Sequence, residues 1–282
     1  MNPVFRVLVQ PSLCRDILSP YLCSRYGGGL EISAPPEWRP AVFSNFVTSL
    51  DGKVTFGGLS RPEGRLISRF SSDDQWLMGL LRAAADAVIV GAGTARAEGA
   101  HTWTVDSLGG AENPALLEWR KGCGRPAHPL QCLVSNSGNL PTGSAVFCRD
   151  DLQVLVFTTS GGADALKQKG VSQNARVIVT EKEEVVDLKA ALGVLRQEYG
   201  VMNLLTEGGP RFFADLLRKG FVDDIFQTIS PVMVGNSAEC EGRYSLVEGQ
   251  AFSPEDAPDF RLVSLRTGVS DSSHLFGHYR RG

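Results

Sequence analysis

The chain has 282 residues, of which 43% are apolar, enough for one large domain or two small ones with full hydrophobic cores. Its formal net charge is −3 and its pI is near 5.9, and the sequence has no basic cluster and no basic amphipathic helix. These values argue against a nucleic-acid binder and a membrane-surface binder, and they favour a small-molecule site.

Residues 1–40 predict one strand followed by irregular structure. The strand is Phe5–Val9, and the glycines at 27–29 and the prolines at 35, 36 and 40 mark the looser part. Arg6 interrupts the apolar run, no cleavage pattern follows it, and no run in the chain reaches the roughly 18 residues of a membrane span. We therefore expect no signal peptide, a cytoplasmic location, and an N-terminal extension before one domain at residues 41–282.

Residues 41–282 predict strands that alternate with helices, and then strands alone. Strands are predicted at 41–50, 86–90, 131–134, 154–158, 176–180 and 201–205, and helices at 76–81, 95–98, 163–169, 188–199 and 211–219. Residues 71–74, Ser-Ser-Asp-Asp, supply an N-cap and acidic first-turn residues for the first helix. Alternation implies parallel neighbours and crossovers, whereas the strands predicted at 225–234, 260–267 and 272–280 should pair partly antiparallel. We predict an α/β fold with a mixed sheet.

Two glycine turns join a predicted strand to a predicted helix. The first is Gly-Ala-Gly-Thr at 91–94, and the second is Glu-Gly-Gly-Pro at 207–210. Without Cβ atoms the backbone can come close to a ligand, and the free N–H groups of a helix start attract an anion. Two such turns could hold the two ends of one pyrophosphate, or each could be a tight connection that merely uses glycine.

The first turn differs from the usual Rossmann fingerprint. Arg96 stands at its third glycine position, and no acidic residue closes a second strand about 20 residues further on. Rossmann-type dinucleotide binding is therefore disfavoured.

The cysteines and histidines predict no metal site. The six cysteines, at 14, 23, 123, 132, 148 and 240, form no Cys-x-x-Cys pair and have no companion histidines at metal spacing, so we interpret them as free thiols. His274 and His278 are four residues apart, but their segment predicts a strand more easily than a helix. His101 and His128 lie in predicted loops without an obvious partner.

Five motifs occur in a fixed order within residues 41–280. They are Ser-Leu-Asp-Gly-Lys at 49–53, Leu-Leu-Arg-Ala at 80–83, the strand and turn at 86–94, Glu-Gly-Gly-Pro at 207–210, and Gly-Phe-Val-Asp-Asp at 220–224 with Ser-Pro-Val at 230–232. Together they resemble the reductase domain of the riboflavin-biosynthesis deaminase-reductase. The deaminase half is absent, because no His-x-Glu occurs with Pro-Cys-x-x-Cys.

The resemblance implies a dihydrofolate reductase-like, three-layer fold. In such a fold a mixed, mostly parallel central sheet has helices on both faces and an antiparallel C-terminal strand pair. It also implies NADPH along the carboxyl edge of the sheet, hydride transfer without a metal or a catalytic side chain, and a homodimer built through the C-terminal strands.

The resemblance also implies which residues bind the cofactor. The first glycine turn would bind phosphates, and the second would bind the pyrophosphate from the other side. Val47 and Thr48 would border the nicotinamide. Ser135 or Asn136 would approach the adenosine phosphate. The implied set is Val47, Thr48, Gly91, Thr94, Glu98, Ser135, Gly208, Gly209, Pro210, Arg211, Phe212 and Phe213. Thr94 and Ser135 could instead be ordinary caps, and Glu98 a solvated helix residue.

On the substrate side, Glu207 and Arg82 match family positions that contact an aminopyrimidine. A carboxylate could hold its amino and ring N–H groups by charge-assisted hydrogen bonds, although Arg82 could simply pair or cap on its helix. Asp51 matches a loop that borders the active site, or it could be only a turn residue, and Lys53 has the same two interpretations. Arg69, a candidate replacement for an arginine that the chain lacks, completes the predicted substrate set.

The chain departs from the family pattern at two places. The family's Asp-Pro-x-Leu-Thr-x-Arg segment ends in an arginine that binds the ribose phosphate, and its place here falls at Val105. The arginines at 61, 65 and 69 are available replacements. Ala92 stands where a basic residue often meets the cofactor's 2′-phosphate, and Arg96 is a candidate substitute, so the preference for NADPH over NADH stays open.

The function implied by the resemblance is NADPH-dependent reduction of 5-amino-6-(5-phosphoribosylamino)uracil in riboflavin biosynthesis. Hydride would reach the ribose C1 as the sugar opens to a ribityl chain. One alternative is reduction of a dihydropterin or another small C=N or C=O compound. The other is an NADPH-binding protein without turnover.

Overall fold

The computed structural model describes residues 3–9, 18–57, 63–237, 242–269 and 271–282. The strands in these ranges are β1 Phe5–Val9, β2 Ala41–Thr48, β3 Ala87–Gly91, β4 Leu130–Ser135, β5 Val154–Thr158, β6 Ala175–Val179, β7 Glu181–Lys182, β8 Val185–Val186, β9 Asn203–Thr206, β10 Asp224–Ile229, β11 Phe260–Gly268 and β12 Leu275–Arg281. The α-helices are α1 Pro20–Tyr26, α2 Glu63–Ile67, α3 Ser72–Ala84, α4 Ala92–Ala97, α5 Asn113–Gly122, α6 Ala145–Cys148, α7 Ser160–Lys169, α8 Leu188–Gln197 and α9 Pro210–Arg218. None of these helices is long and apolar enough to cross a bilayer.

Ten strands form one sheet in the order β1-β11-β12-β10-β2-β9-β3-β4-β5-β6. The run from β10 to β6 is parallel throughout. At the other end, β12 pairs antiparallel with both β10 and β11, and β1 pairs antiparallel with β11. The predicted fold class, with its mixed sheet and antiparallel C-terminal strand pair, is confirmed.

The side chains of alternate strand residues enter two separate cores. On the front face, Phe43 and Leu205 pack with apolar residues of α3 and α5. On the back face, Val42 and Leu204 pack with apolar residues of α8 and α9. Asn45 follows Phe43 by two residues and Glu207 follows Leu205 by two residues, so both also belong to the front face.

Several predicted element limits are wrong. The helix predicted from residue 95 begins at Ala92, because glycine and threonine are tolerated in a first helical turn. The strand predicted at 225–234 ends at Ile229, and the helices α1, α2, α5 and α6 were not predicted. Within the region predicted as a loose extension, Ser19 caps α1 and Gly27 ends it with a left-handed φ of 73°.

Candidate functional site

The two glycine turns lie side by side at the carboxyl edge of the sheet. Strands β3 and β9 are parallel neighbours, so the helices that follow them, α4 and α9, begin next to each other. A Cβ atom built on Gly208 would lie 2.8 Å from Val90 Cβ and 3.0 Å from Thr94 Cγ2, and one on Gly91 would lie 3.0 Å from Phe212 Cβ. These glycines let one turn pack against the other.

Gly209 has a different requirement, which is conformational. Its φ is 70°, in the region that favours glycine, whereas Gly91 has an ordinary φ of −78°. A Cβ atom on Gly209 would lie 3.3 Å from Thr94 Oγ1. Gly93 is open, because a Cβ atom built there meets nothing within 4 Å among the described atoms.

The start of α9 fits an anion. Its first internal hydrogen bond runs from Phe213 N to Gly209 O at 2.9 Å, and no described residue accepts from the N–H groups of Arg211 and Phe212. Pro210 occupies the first turn, where a missing N–H group costs nothing. Open donors beside an open glycine fit a phosphate-bearing cofactor such as NADPH.

The two phenylalanines of this helix are core residues. The Phe213 ring lies 4.7 Å from the Phe46 ring in the back core, and the Phe213 N–H group is already used. The Phe212 side chain packs against Gly91 and belongs to the back core, so its contact with the cofactor stays a prediction. Arg211 lies with its guanidinium 5.4 Å from the Tyr244 ring centre.

The remaining predicted cofactor residues lie at neighbouring strand ends. Thr48 Oγ1 accepts from Gln227 Nε2 at 3.1 Å, while Val47 stands on the opposite, front face beside α2. The Asn136 Oδ1 atom accepts from Val186 N at 2.9 Å, which leaves its Nδ2 donor for a ligand. Ser135 is buried at the end of β4, and its hydroxyl makes no hydrogen bond to the described residues, so both residues stay candidates.

Two of the four residues predicted to bind substrate, Arg82 and Glu207, bind each other. Arg82 Nε donates to Glu207 Oε1 at 2.9 Å and Arg82 Nη2 to Oε2 at 2.6 Å, with side chains only 2% and 6% exposed. Arg82 also donates to Thr104 O at 3.0 Å and Ser107 Oγ at 3.1 Å, and it contacts His101 Nε2 at 3.0 Å. The guanidinium is thus fully used, whereas the carboxylate keeps free lone pairs.

His101 has a partner that sequence reasoning missed. Because Arg82 can only donate, the His101 Nε2 atom must accept, and the ring is neutral. Burial, with Arg82 and Arg65 nearby, lowers the pKa of His101 to about 3. His101 therefore accepts one of the hydrogen bonds that Arg82 donates beside the ion pair.

Two further carboxyl groups, those of Glu98 and Asp74, are close enough to Glu207 to feel its charge. Burial raises the pKa of Glu98 to about 7. The charge of Arg82 lowers this pKa and the charge of Glu207 raises it, but burial is the largest of the three effects. Burial raises the pKa of Asp74 to about 6, with Glu207 contributing. Glu98 is the C-cap residue of α4 and is partly buried, and its contact with the cofactor stays a prediction. Asp74 was predicted only as a first-turn helix residue.

Asp51 holds two loops together. Its carboxylate accepts from Ser49 Oγ at 2.6 Å, Val234 N at 3.1 Å and Gly235 N at 2.6 Å. The Ser49 hydrogen bond is the main cause that lowers the pKa of Asp51 to about 2. Lys53 Nζ donates to Ser245 Oγ at 3.2 Å. This geometry favours the turn interpretation of Asp51, and its contact with substrate stays a prediction.

Two of the three arginines suggested as phosphate ligands, Arg65 and Arg69, lie in the described part of the chain. Arg61 lies outside the described residues. Arg65 is exposed, with its guanidinium 6.0 Å from the Phe70 ring centre, and is close enough to influence His101. Arg69 is exposed and has a φ of 51°. Val105 is fully buried in the front core, so the family's arginine has no counterpart there.

The two C-terminal histidines bind separate partners. His278 Nε2 contacts Asp224 at 2.8 Å, while His274 contacts Asp271 at 3.0 Å and the Ser68 carbonyl at 3.1 Å. The described part of the chain contains no group of three side chains that could hold a metal ion. The cysteines at 123, 132 and 148 are free thiols, and the cysteines at 14 and 240 lie outside the described ranges.

Residues 40–271 match the family model described as the RibD C-terminal domain. The 2,5-diamino-6-ribosylamino-4(3H)-pyrimidinone 5′-phosphate reductase of Archaeoglobus fulgidus is 31% identical over 208 residues, which cover 72% of this chain and 87% of that protein. The reductase of the same name from Methanothermobacter thermautotrophicus is 27% identical and covers 81% of this chain and 93% of that protein. A pyrimidine reductase-like protein from Corynebacterium diphtheriae has a solved structure with a TM-score of 0.64 and 25% identity, covering 86% of this chain and 92% of that one. This chain therefore belongs to the RibD C-terminal domain family.

Proposed function

We propose that this chain is an NADPH-dependent reductase of a 5-amino-6-ribosylaminopyrimidine 5′-phosphate in riboflavin biosynthesis. Two such compounds differ at ring position 2: the uracil carries an oxo group there and the diaminopyrimidinone an amino group. Relatives named for the diamino compound support including it beside the uracil. The observation that carries the proposal is the Glu207 carboxylate, held by Arg82 next to the two glycine turns.

The ion pair gives Glu207 a fixed direction. A buried carboxylate needs partners, and Arg82 supplies two of them while leaving other lone pairs for a ligand. An aminopyrimidine offers adjacent N–H donors, which make strong hydrogen bonds to a carboxylate. Arg82 thus acts through Glu207, as a positioning residue.

When bound, NADPH would supply the hydride that reduces the ribose C1. The residues at the starts of α4 and α9 would hold its phosphates, with Val47 beside the nicotinamide. Opening of the sugar also needs a proton at the departing ring oxygen. Burial raises the pKa of Glu98 to about 7, so this carboxyl is a candidate for holding such a proton.

A preference for NADPH over NADH is supported by two cations near the end of β4. Arg96 Nη1 donates to Asn139 O at 2.9 Å, and Lys169 Nζ donates to Asn139 Oδ1 at 3.1 Å. Both side chains are exposed, so they can also meet a phosphate in solvent. We propose that they bind the 2′-phosphate in place of a basic residue at Ala92.

A homodimer through the C-terminal strands is the proposed assembly. By register, Ile229, Leu262, Leu265 and Leu275 lie on one face of β10, β11 and β12. Leu262 is 41% exposed and the other three are half-buried, an apolar surface suited to a second copy. Light scattering at micromolar concentration should give twice the mass of the 30.4 kDa chain, and a monomer would contradict this assembly.

The proposed function is tested by following NADPH and NADH oxidation with the uracil, the diaminopyrimidinone and dihydrofolate. Turnover of either ribosylaminopyrimidine phosphate, with NADPH preferred, is the expected result. Turnover of dihydrofolate alone would favour the pterin alternative. Tight NADPH binding without turnover of any of the three would favour a protein that has lost its substrate pocket.

A further inference from the structure

The contact with Arg82 fixes the tautomer of His101. Arg82 Nη2 lies 3.0 Å from His101 Nε2, and a guanidinium can only donate, so Nε2 accepts and carries no proton. The single ring proton of the neutral imidazole must then lie on Nδ1. His101 therefore presents an N–H donor that points away from Arg82.

The position of this ring is fixed by its neighbours. The backbone N–H group of His101 donates to Glu98 O at 2.7 Å, and the imidazole packs edge-to-face on Trp103 with ring centres 5.9 Å apart. Trp103 is itself buried, and the Gln131 side chain binds both its backbone N–H group and its carbonyl. A donor held in this way loses little conformational freedom when it meets a ligand.

The Nδ1–H group of His101 has no acceptor within the ranges that the structure describes, where the side chain makes only the contact with Arg82. His101 is partly exposed, and its Nδ1 atom is not enclosed by protein, unlike the Nδ1 atom of His128. A donor that is oriented, unpaired and accessible can bind a ligand oxygen without first giving up a protein partner.

An exposed arginine makes this donor suited to an anion. Arg65, on α2, is close enough to His101 for its charge to lower the pKa of the ring. Among the described residues its guanidinium contacts the Gln75 amide and the Phe70 ring, neither of which is a carboxylate. A neutral N–H donor near a cation that no carboxylate neutralises is a combination that binds phosphate oxygens.

The position of His101 relative to Glu207 fits a ligand that spans both. One nitrogen, Arg82 Nη2, contacts Glu207 Oε2 at 2.6 Å and His101 Nε2 at 3.0 Å. A ligand that donates to the Glu207 carboxylate would therefore have the His101 ring beside it. A phosphate on such a ligand is repelled by the carboxylate and attracted by Arg65, so it belongs at the Nδ1 side of the ring.

We propose that the His101 Nδ1–H group and the Arg65 guanidinium bind the 5′-phosphate of the ribosylaminopyrimidine substrate. This inference rests on the proposed function and deepens it. His101 is a specificity-determining residue, because its neutral ring donates a hydrogen bond to a phosphate oxygen while Arg65 offsets the negative charge. A substrate without the phosphate gains nothing from either group.

The test is a thermodynamic cycle that combines His101→Phe with removal of the phosphate from the substrate. Phenylalanine keeps an aromatic ring against Trp103 but has neither nitrogen. We expect kcat/KM to fall at least about tenfold for the phosphorylated substrate and less than about threefold for the dephosphorylated nucleoside. An equal loss for both substrates would show that His101 acts only by holding Arg82, and it would overturn the proposal.

Three further variants complete this test. His101→Gln offers both an acceptor and a donor, so it should keep kcat/KM for the phosphorylated substrate within about threefold of the wild type. Arg65→Ala should lower kcat/KM at least about fivefold for that substrate and leave the nucleoside unaffected. Arg176→Ala removes an exposed arginine from β6, at the far edge of the sheet, and should change neither. Unchanged kinetics of Arg65→Ala with the phosphorylated substrate would overturn the proposal even if His101→Phe failed to fold.

Nitrogen NMR of the wild-type protein gives a readout that needs no turnover. His101 should show a protonated Nδ1 and an unprotonated Nε2 from about pH 5 to about pH 8. Ribose 5-phosphate should shift the Nδ1 resonance, and ribose at the same concentration should not. A proton on Nε2, or a ring that does not respond to ribose 5-phosphate, would overturn the proposal. The proposed function fails separately, if the wild-type protein reduces neither ribosylaminopyrimidine phosphate, and the NMR titration then decides on His101.

Discussion

Arg82 and Glu207, 125 residues apart in the chain, form a bidentate ion pair that joins α3 to the end of β9. Removing one partner of a buried ion pair leaves the other charge unpaired and lowers stability. Altering only the carboxylate's hydrogen bonds to a ligand lowers ligand affinity instead. The pair therefore links the stability of the front face to the orientation of the one carboxylate proposed to meet the substrate. Substitutions must be chosen so that these two effects are separated.

Glu207→Gln keeps the shape of the side chain but converts one acceptor into a donor. We expect catalytic efficiency to fall about a hundredfold, on the order of 3 kcal/mol, while NADPH affinity stays within about threefold. Steady-state kinetics and calorimetry on the same preparation measure the two effects. Unaffected kinetics would make Glu207 a structural partner of Arg82, and a loss of NADPH affinity would place it in the cofactor site.

Gly93 is the better position at which to test the cofactor site. At Gly209 any side chain is strained by the positive φ, so a loss of binding there would be mixed with a loss of stability. Gly93→Val adds a branched side chain where no described atom lies within 4 Å, and we expect NADPH affinity to fall at least tenfold in a folded protein.

The matched control for that substitution is Gly193→Val. Gly193 lies in α8, and a Cβ atom there also meets nothing within 4 Å. It should change NADPH affinity less than twofold. Equal affinities of the two variants in calorimetry would remove the starts of α4 and α9 from the cofactor site.

Cofactor preference provides the third prediction. Arg96→Ala and Lys169→Ala together should reduce the NADPH-over-NADH ratio of kcat/KM at least tenfold, because a phosphate loses two cationic partners. NADH kinetics should hardly change, and the wild-type preference should weaken as salt is raised. A ratio that stays the same in the double variant would place the 2′-phosphate elsewhere.

The fold was predictable where local pattern decides it. Val154–Thr158 is a short apolar run bounded by polar residues, and the structure has the strand with the same limits. The helix after β3 was placed three residues late, because Gly93 in a first turn looks like a loop residue in sequence. Local patterns therefore give the existence of elements better than their ends.

The site was only partly predictable, because its chemistry depends on long-range pairing. Sequence analysis named Arg82 and Glu207 separately, but no local signal shows that two residues so far apart bind each other. Asp74 resembles an ordinary first-turn acid, and only the packing of α3 on the sheet buries it.

The last prediction concerns Asp74 and pH. Burial raises the pKa of this carboxyl from 3.8 to about 6 in the folded protein, so the native state binds the proton more tightly than the unfolded chain. The contribution of this proton to the free energy of unfolding is fully present below about pH 4 and is lost as the pH rises through 6. A shift of about two pKa units corresponds to at most about 3 kcal/mol.

Asp74→Asn should abolish the decrease in stability that the ionisation of Asp74 causes between pH 4 and pH 7. The variant should match the wild-type protein near pH 4 and become more stable than it by pH 7, as measured by chemical denaturation at one-unit pH intervals. Glu118→Gln, an exposed substitution on α5, serves as the control and should leave the difference between pH 4 and pH 7 as in the wild type. A variant that is less stable at pH 7 would mean that the ionised Asp74 has favourable partners, such as His274, that outweigh the cost of burying its charge.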